Sequence, residues 1–139
     1  MNMNATIVIN RSVEAVYRFI SDPTNDVHWR TGVTESGLIG DPPLTLGSEG
    51  FAKAGEKVAC WRVTALVPGS WVDWELTEGP IGGTGGYRLE EIDGATRFTL
   101  AADVKPKGAY RLLGPLFGLI GKKQNQADVE KLKRLLESE

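Results

Sequence analysis

The chain is predicted to be an α+β protein, a curved antiparallel sheet of about seven strands wrapped around one long C-terminal helix, with two short helices after the first strand. Three observations predict this. Strand-like segments between turn signals fill the middle of the chain. A helical period occurs near the start and again at the end. Residues 110–139 read as one amphipathic helix. At 139 residues the chain suits a single domain, 1–139, long enough to bury a proper core.

The first strand covers residues 5–9, which are rich in β-formers. The period then changes: Val13, Val16, Tyr17 and Ile20 follow helical spacing, and Ser12 is placed to cap the first turn through its hydroxyl. Asp22-Pro23 ends this helix, because the residue before proline is driven out of the helical region. A second helical piece covers 24–29.

From Val33 onward, turn signals recur at Asp41-Pro42-Pro43, Gly55-Glu56, Pro68-Gly69, the glycine run 82–86, Asp93-Gly94 and Pro106-Lys107-Gly108. Two of the intervening strands alternate cleanly. In 96–105, Phe98, Leu100, Ala102 and Val104 share one face. In 71–76, Val72, Trp74 and Leu76 oppose Trp71, Asp73 and Glu75. Alternation of this kind gives a sheet one dry and one wet face. Residues 87–92 and 96–104, joined at Asp93-Gly94, form the strongest hairpin signal.

In the tail, Leu113, Leu116, Phe117 and Ile120 share one sector of the helical wheel, and Val129, Leu132, Leu135 and Leu136 share another. The polar stretch 121–128 separates them, and Gln124 lies in the middle of the first apolar sector. Either the helix bends there with a solvent-exposed turn, or the stretch does not pack on the sheet and faces a void or its mouth. The glycine run 82–86 is expected at a flexible strand edge or cavity rim.

The order and spacing of several segments resemble the START-like helix-grip superfamily, and more narrowly its bacterial polyketide cyclase/dehydrase and lipid-transport family, also called SRPBCC. The segments are Ser12-Val13-Glu14-Ala15-Val16-Tyr17; Asp22-Pro23 followed by His28-Trp29; Arg62-Val63 through Pro68-Gly69; Tyr87-Arg88-Leu89 with Asp93-Gly94-Ala95-Thr96-Arg97; and 128–137 with Leu132-Lys133 and Leu135-Leu136-Glu137. The resemblance implies a helix-grip fold with a deep apolar cavity between sheet and long helix. It also implies a hydrophobic small molecule as partner, and it carries no invariant catalytic motif onto these positions.

Composition narrows the chemistry. A formal charge of −2 argues against a general binder of nucleic acid or anionic membrane. With one cysteine, Cys60, and one histidine, His28, the chain lacks a tetrahedral metal-ligand set and a Cys–His pair is poorly supported. The glycine run lacks the Lys-Ser/Thr ending of a phosphate loop and leads into a strand. No cofactor, metal or catalytic residue is therefore expected. A single cysteine, the lack of a signal-peptide pattern and the lack of a bilayer-length apolar stretch lead us to expect a cytoplasmic protein without stable membrane insertion.

The expected ligand-binding residues are Trp29, Phe51, Trp61, Trp74, Tyr87, Phe98, Leu113, Phe117, Ile120 and Gln124. Large rings on inward strand faces, opposite a helix with a polar interruption, match the apolar pockets with few polar groups that hold hydrophobic ligands. The expected function is binding or transport of a lipid, sterol or polyketide-like molecule. One alternative is a cyclase or dehydratase using His28, Tyr87 or Glu91 for proton transfer. Another is docking to a protein or membrane through the apolar start of the tail helix, 112–120, with a homodimer left open.

Overall fold

The computed structural model describes residues 1–139. Strand β1 (Ala5–Ile9) leads into helix α1 (Val13–Ile20), a 3-10 turn (Pro23–Asn25) and the one-turn helix α2 (Asp26–Trp29). Six strands follow: β2 (Glu35–Ile39), β3 (Glu49–Ala54), β4 (Lys57–Val67), β5 (Trp71–Glu78), β6 (Ile81–Ile92) and β7 (Ala95–Pro106). A second 3-10 turn (Gly108–Leu113) precedes the long helix α3 (Pro115–Glu137).

All seven strands form one antiparallel sheet in the order β1-β7-β6-β5-β4-β3-β2. The β6–β7 hairpin closes where the alternation predicts, with Ile92 paired to Ala95. Its turn residues, Asp93 and Gly94, have φ of 49° and 84°. Positive φ at both positions is what a two-residue turn between right-twisted strands requires. Register shifts in β4, between Cys60 and Trp61 and between Val63 and Ala65, add the local bend that helps a sheet curl.

Ser12 caps α1 as expected: its Oγ accepts from the Ala15 N–H at 3.2 Å. Val16 and Ile20 then turn inward, where they meet Ile9, Trp29, Phe98 and Leu100 and the last turns of α3 through Val129, Leu132 and Leu136. Each fully buried aliphatic side chain contributes about 1.5–3 kcal/mol relative to exposure. This packed end is the clamp that holds helix to sheet.

The tail departs from a continuous helix over 110–139. Gly114 sits at φ 55°, a conformation that favours glycine, and Pro115 takes the first helical position, where its missing N–H costs nothing. The chain therefore breaks at Gly114, and Tyr110 to Leu113 belong to the 3-10 turn.

The polar stretch 121–128 meets expectation only in part: Gly121, Gln124 and Asn125 face the space between sheet and helix, while Asn125 and Asp128 form a buried seam. Asp128 accepts from the Thr31 N–H at 3.1 Å, from the Thr31 hydroxyl and from Arg30 Nε at 3.2 Å. Asn125 Nδ2 donates to the Met3 carbonyl at 2.9 Å, and its Oδ1 accepts from Arg30 Nη2 at 3.3 Å. Buried polar groups persist when each finds a partner. Here the partners come from the residues just before β1 and just after α2, neither of which is near in sequence.

Candidate functional site

Beyond the clamp, α3 rises away from the sheet. A cavity of about 510 Å³ lies between them, and 21 of its 32 lining residues are hydrophobic. That volume falls within the range of about 300–1,000 Å³ typical of small-molecule sites. Two tryptophans form much of its sheet wall, and glycines make room for them. A Cβ added at Gly85 would fall 2.7 Å from the Trp74 ring, and one added at Gly50 would fall 2.1 Å from Trp61 Cζ2. The glycine run 82–86 lies within β6: residues 84–86 pair with both β5 and β7, Gly82 and Gly83 with β7 alone, and Thr84 and Gly85 line the cavity. Gly85 has a packing reason to lack a side chain.

Seven of the ten expected residues line this cavity: Trp61, Trp74 and Tyr87 from the sheet, and Leu113, Phe117, Ile120 and Gln124 from the tail. Gln124 Nε2 also donates to the Thr31 carbonyl at 3.4 Å. The other three lie elsewhere. Trp29, the last residue of α2, and Phe98 are fully buried in the core, their ring centroids 6.0 Å apart, in one cluster with Val129, Leu132 and Leu136 of the clamped end of α3. Phe51 alternates with Ala52 and Ala54, which line the cavity, and its ring lies 3.5 Å from where a Gly37 Cβ would stand. The period of two along β3 puts Phe51 on the opposite face.

Tyr87 links core to cavity. Its ring is T-shaped against Trp74 at 4.7 Å and tilted against Phe98 at 5.4 Å. Burial and the nearby Asp26 carboxylate both push the Tyr87 phenol up from its usual range, against a weaker pull from Arg30.

The residues missed by sequence reasoning are Asp26 and Arg30, which line the cavity beside Tyr87. Asp26 Oδ1 and Trp29 Nε1 are both buried without a hydrogen-bond partner. Burial pushes the Asp26 carboxyl up to about 7, overcoming the opposing pull of the Arg30 guanidinium and of the nearby Trp29 indole, which stands close to the carboxyl without completing a hydrogen bond. Arg30 is fixed by Asp128 and Asn125, and its guanidinium carbon lies 5.2 Å from the Trp29 ring centroid. The only available signal was the pair of opposite charges four residues apart in Asp26-Val27-His28-Trp29-Arg30. His28 and Glu91 are exposed, and Glu91 accepts from the Gly94 N–H in the hairpin turn. Cys60 is half-buried, and no cluster of three His, Cys, Asp or Glu side chains that could hold a metal forms.

The model of the polyketide cyclase/dehydrase and lipid transport family matches residues 1–137. The chain belongs to that family. No curated protein matches it. Among solved structures, the fold of this polyketide cyclase/dehydrase and lipid-transport family member is similar to a START superfamily protein from Mycobacterium smegmatis. The TM-score is 0.84 at 13% identity, covering 99% of this chain and 97% of that one. It is also similar to a conserved protein from Geobacillus kaustophilus, with TM-score 0.81, 20% identity and coverage of 99% and 96%. A protein from Thermus thermophilus matches with TM-score 0.79, 15% identity and coverage of 99% and 98%. The fold is the START-like helix grip. No helix is long and apolar enough to cross a membrane.

Proposed function

We propose that this protein binds one hydrophobic small molecule, of lipid, sterol or polyketide-like character, between the Trp61–Trp74 wall and helix α3. The ligand's polar end is directed to Asp26 and Arg30. The observation that carries the reading is a largely apolar cavity of about 510 Å³ ending on a buried carboxylate oxygen without a partner. An unmet buried acceptor is costly, and a ligand hydroxyl placed there would offset that cost. The family match supports the same reading. A thermal-shift screen with native mass spectrometry against fatty acids, sterols and aromatic polyketides tests it. A stabilising one-to-one complex with one class is expected; no shift and no adduct across all three contradicts it.

A second reading, a cyclase or dehydratase, is favoured by one observation. A carboxyl held at about 7 inside an apolar cavity is matched to proton transfer near neutral pH. With His28 and Glu91 at the surface, such chemistry rests on Asp26, with Tyr87 as the neighbouring hydroxyl. Loss of water from a β-hydroxy ketone substrate, followed by mass, tests this reading. Turnover abolished in Asp26→Asn supports it, and unchanged turnover rejects it.

A further inference from the structure

The apolar start of the tail presents two faces. Leu113, Phe117 and Ile120 line the cavity. Leu112, Leu116 and Leu119 do not, and they are 89%, 50% and 60% exposed, so their surface faces outward. Leu116, Leu119 and Lys123 follow the i, i+3, i+7 spacing of one helical face, and Leu112 is exposed in the 3-10 segment before the break at Gly114.

The charge of the chain segment that carries this strip is unlike the rest of the sequence. Between Asp103 and Asp128 there are five basic residues, Lys105, Lys107, Arg111, Lys122 and Lys123, and no acidic one. The remainder of the chain holds eleven basic and eighteen acidic residues, a net charge of −7. All five cations are exposed, and none is in an ion pair. An exposed apolar strip in a segment whose only charges are unpaired cations is the pattern of an element lying in a membrane interface, its leucines among the acyl chains and its cations among anionic headgroups. The overall charge of −2 conceals this, because the acidic residues lie elsewhere.

We propose that the segment 105–123 docks this protein on the surface of an anionic lipid bilayer, placing the cavity mouth against the membrane. Leu113 and Ile120 line the cavity yet remain 41% and 49% exposed, so the docking segment and the entrance share side chains. An apolar ligand then passes between bilayer and cavity with little exposure to water. The role of the entrance rests on the ligand-binding reading above; the docking itself does not. An acidic protein partner would satisfy the cations equally, but the continuity of the strip with an apolar cavity favours a lipid phase over a folded acidic surface.

The test is cosedimentation with phosphatidylcholine vesicles, with and without phosphatidylglycerol, at low and high salt. Pelleting is expected with phosphatidylglycerol, falling as salt rises. It should weaken about tenfold or more in Lys122→Glu/Lys123→Glu, since each cation near an anionic surface contributes a several-fold factor. Leu112→Ser/Leu119→Ser should weaken it too. These side chains are exposed, so melting curves confirm that both variants fold. Ligand binding, measured without vesicles, should persist in the charge-reversed variant, which separates failure of docking from failure of the cavity reading. No pelleting, or pelleting indifferent to phosphatidylglycerol and to the lysines, overturns the proposal. So does a dimer in sedimentation velocity that Leu112→Ser/Leu119→Ser dissolves while vesicles are ignored, because the strip would then belong to a second copy.

Discussion

Trp74 lies over Gly85: a Cβ on that glycine would stand 2.7 Å from three atoms of the indole. Gly85 and Trp74 are directly paired between β6 and β5, so the missing side chain lets the ring extend along the sheet as cavity wall. The pairing of Gly50 with Trp61 between β3 and β4 repeats the arrangement. Gly85→Ala and Gly50→Ala should each force a tryptophan off its position, at about 1–3 kcal/mol. Gly37→Ala, whose nearest neighbour would be a Phe51 ring atom at 3.5 Å, should be mild by comparison. Urea unfolding followed by tryptophan fluorescence reads all three.

Asp26 sets a pH dependence whose sign can be worked out. Its carboxyl is raised from 3.8 to about 7 on folding, so the folded state holds the proton more tightly. The associated stability is fully present below about pH 4 and is lost as pH rises through about 7, amounting to a few kcal/mol. Asp26→Asn, which mimics the protonated form, should flatten this window and stabilise the protein at pH 8. Thermal melts from pH 4 to 8 measure it; equal slopes in both proteins would contradict the assignment.

Asp128 ties α3 to the residues after α2. Asp128→Ala leaves Arg30 Nε and the Thr31 N–H without their acceptor and should cost about 3 kcal/mol. The same change frees Arg30 at the cavity end, so any ligand engaging that end should bind more weakly. Chemical denaturation and ligand titration on the one variant report both effects.

Phe98 and Trp74 separate packing from recognition. Phe98 is fully buried, and Phe98→Ala should cost about 3–5 kcal/mol. Trp74→Ala opens a cavity that already exists, so its larger effect should fall on ligand affinity. Paired melting and binding measurements decide whether the two rings differ as their positions require.

The residues legible in advance were those whose signal is local. The alternation of Phe98, Leu100 and Val104, the cap at Ser12 and the turn at Asp93-Gly94 each depend on neighbours within a few positions, and each stands in the structure as its pattern implies. What was not legible depends on distant partners. Asn125 and Asp128 read as a polar break because their acceptors and donors, Met3, Arg30 and Thr31, lie about a hundred residues earlier. Phe98 reads as a cavity ring because an aromatic on an inward strand face looks the same whether Trp29 of helix α2 packs on it or not, and Trp29 because nothing local says that its ring turns into the core. Asp26 carries no mark of its environment; its burial comes from the sheet and α3 closing over a single helical turn.

The most direct measurement is native mass spectrometry of the protein with a long-chain fatty acid, a sterol and an aromatic polyketide, beside Ala102→Trp. Ala102 faces the cavity from β7, opposite Gly85, so an indole there fills the space a ligand would take. A one-to-one complex that Ala102→Trp abolishes, while the variant still folds, is the predicted result. No complex with any of the three, or a complex that the filled cavity leaves undiminished, would contradict ligand binding between sheet and helix.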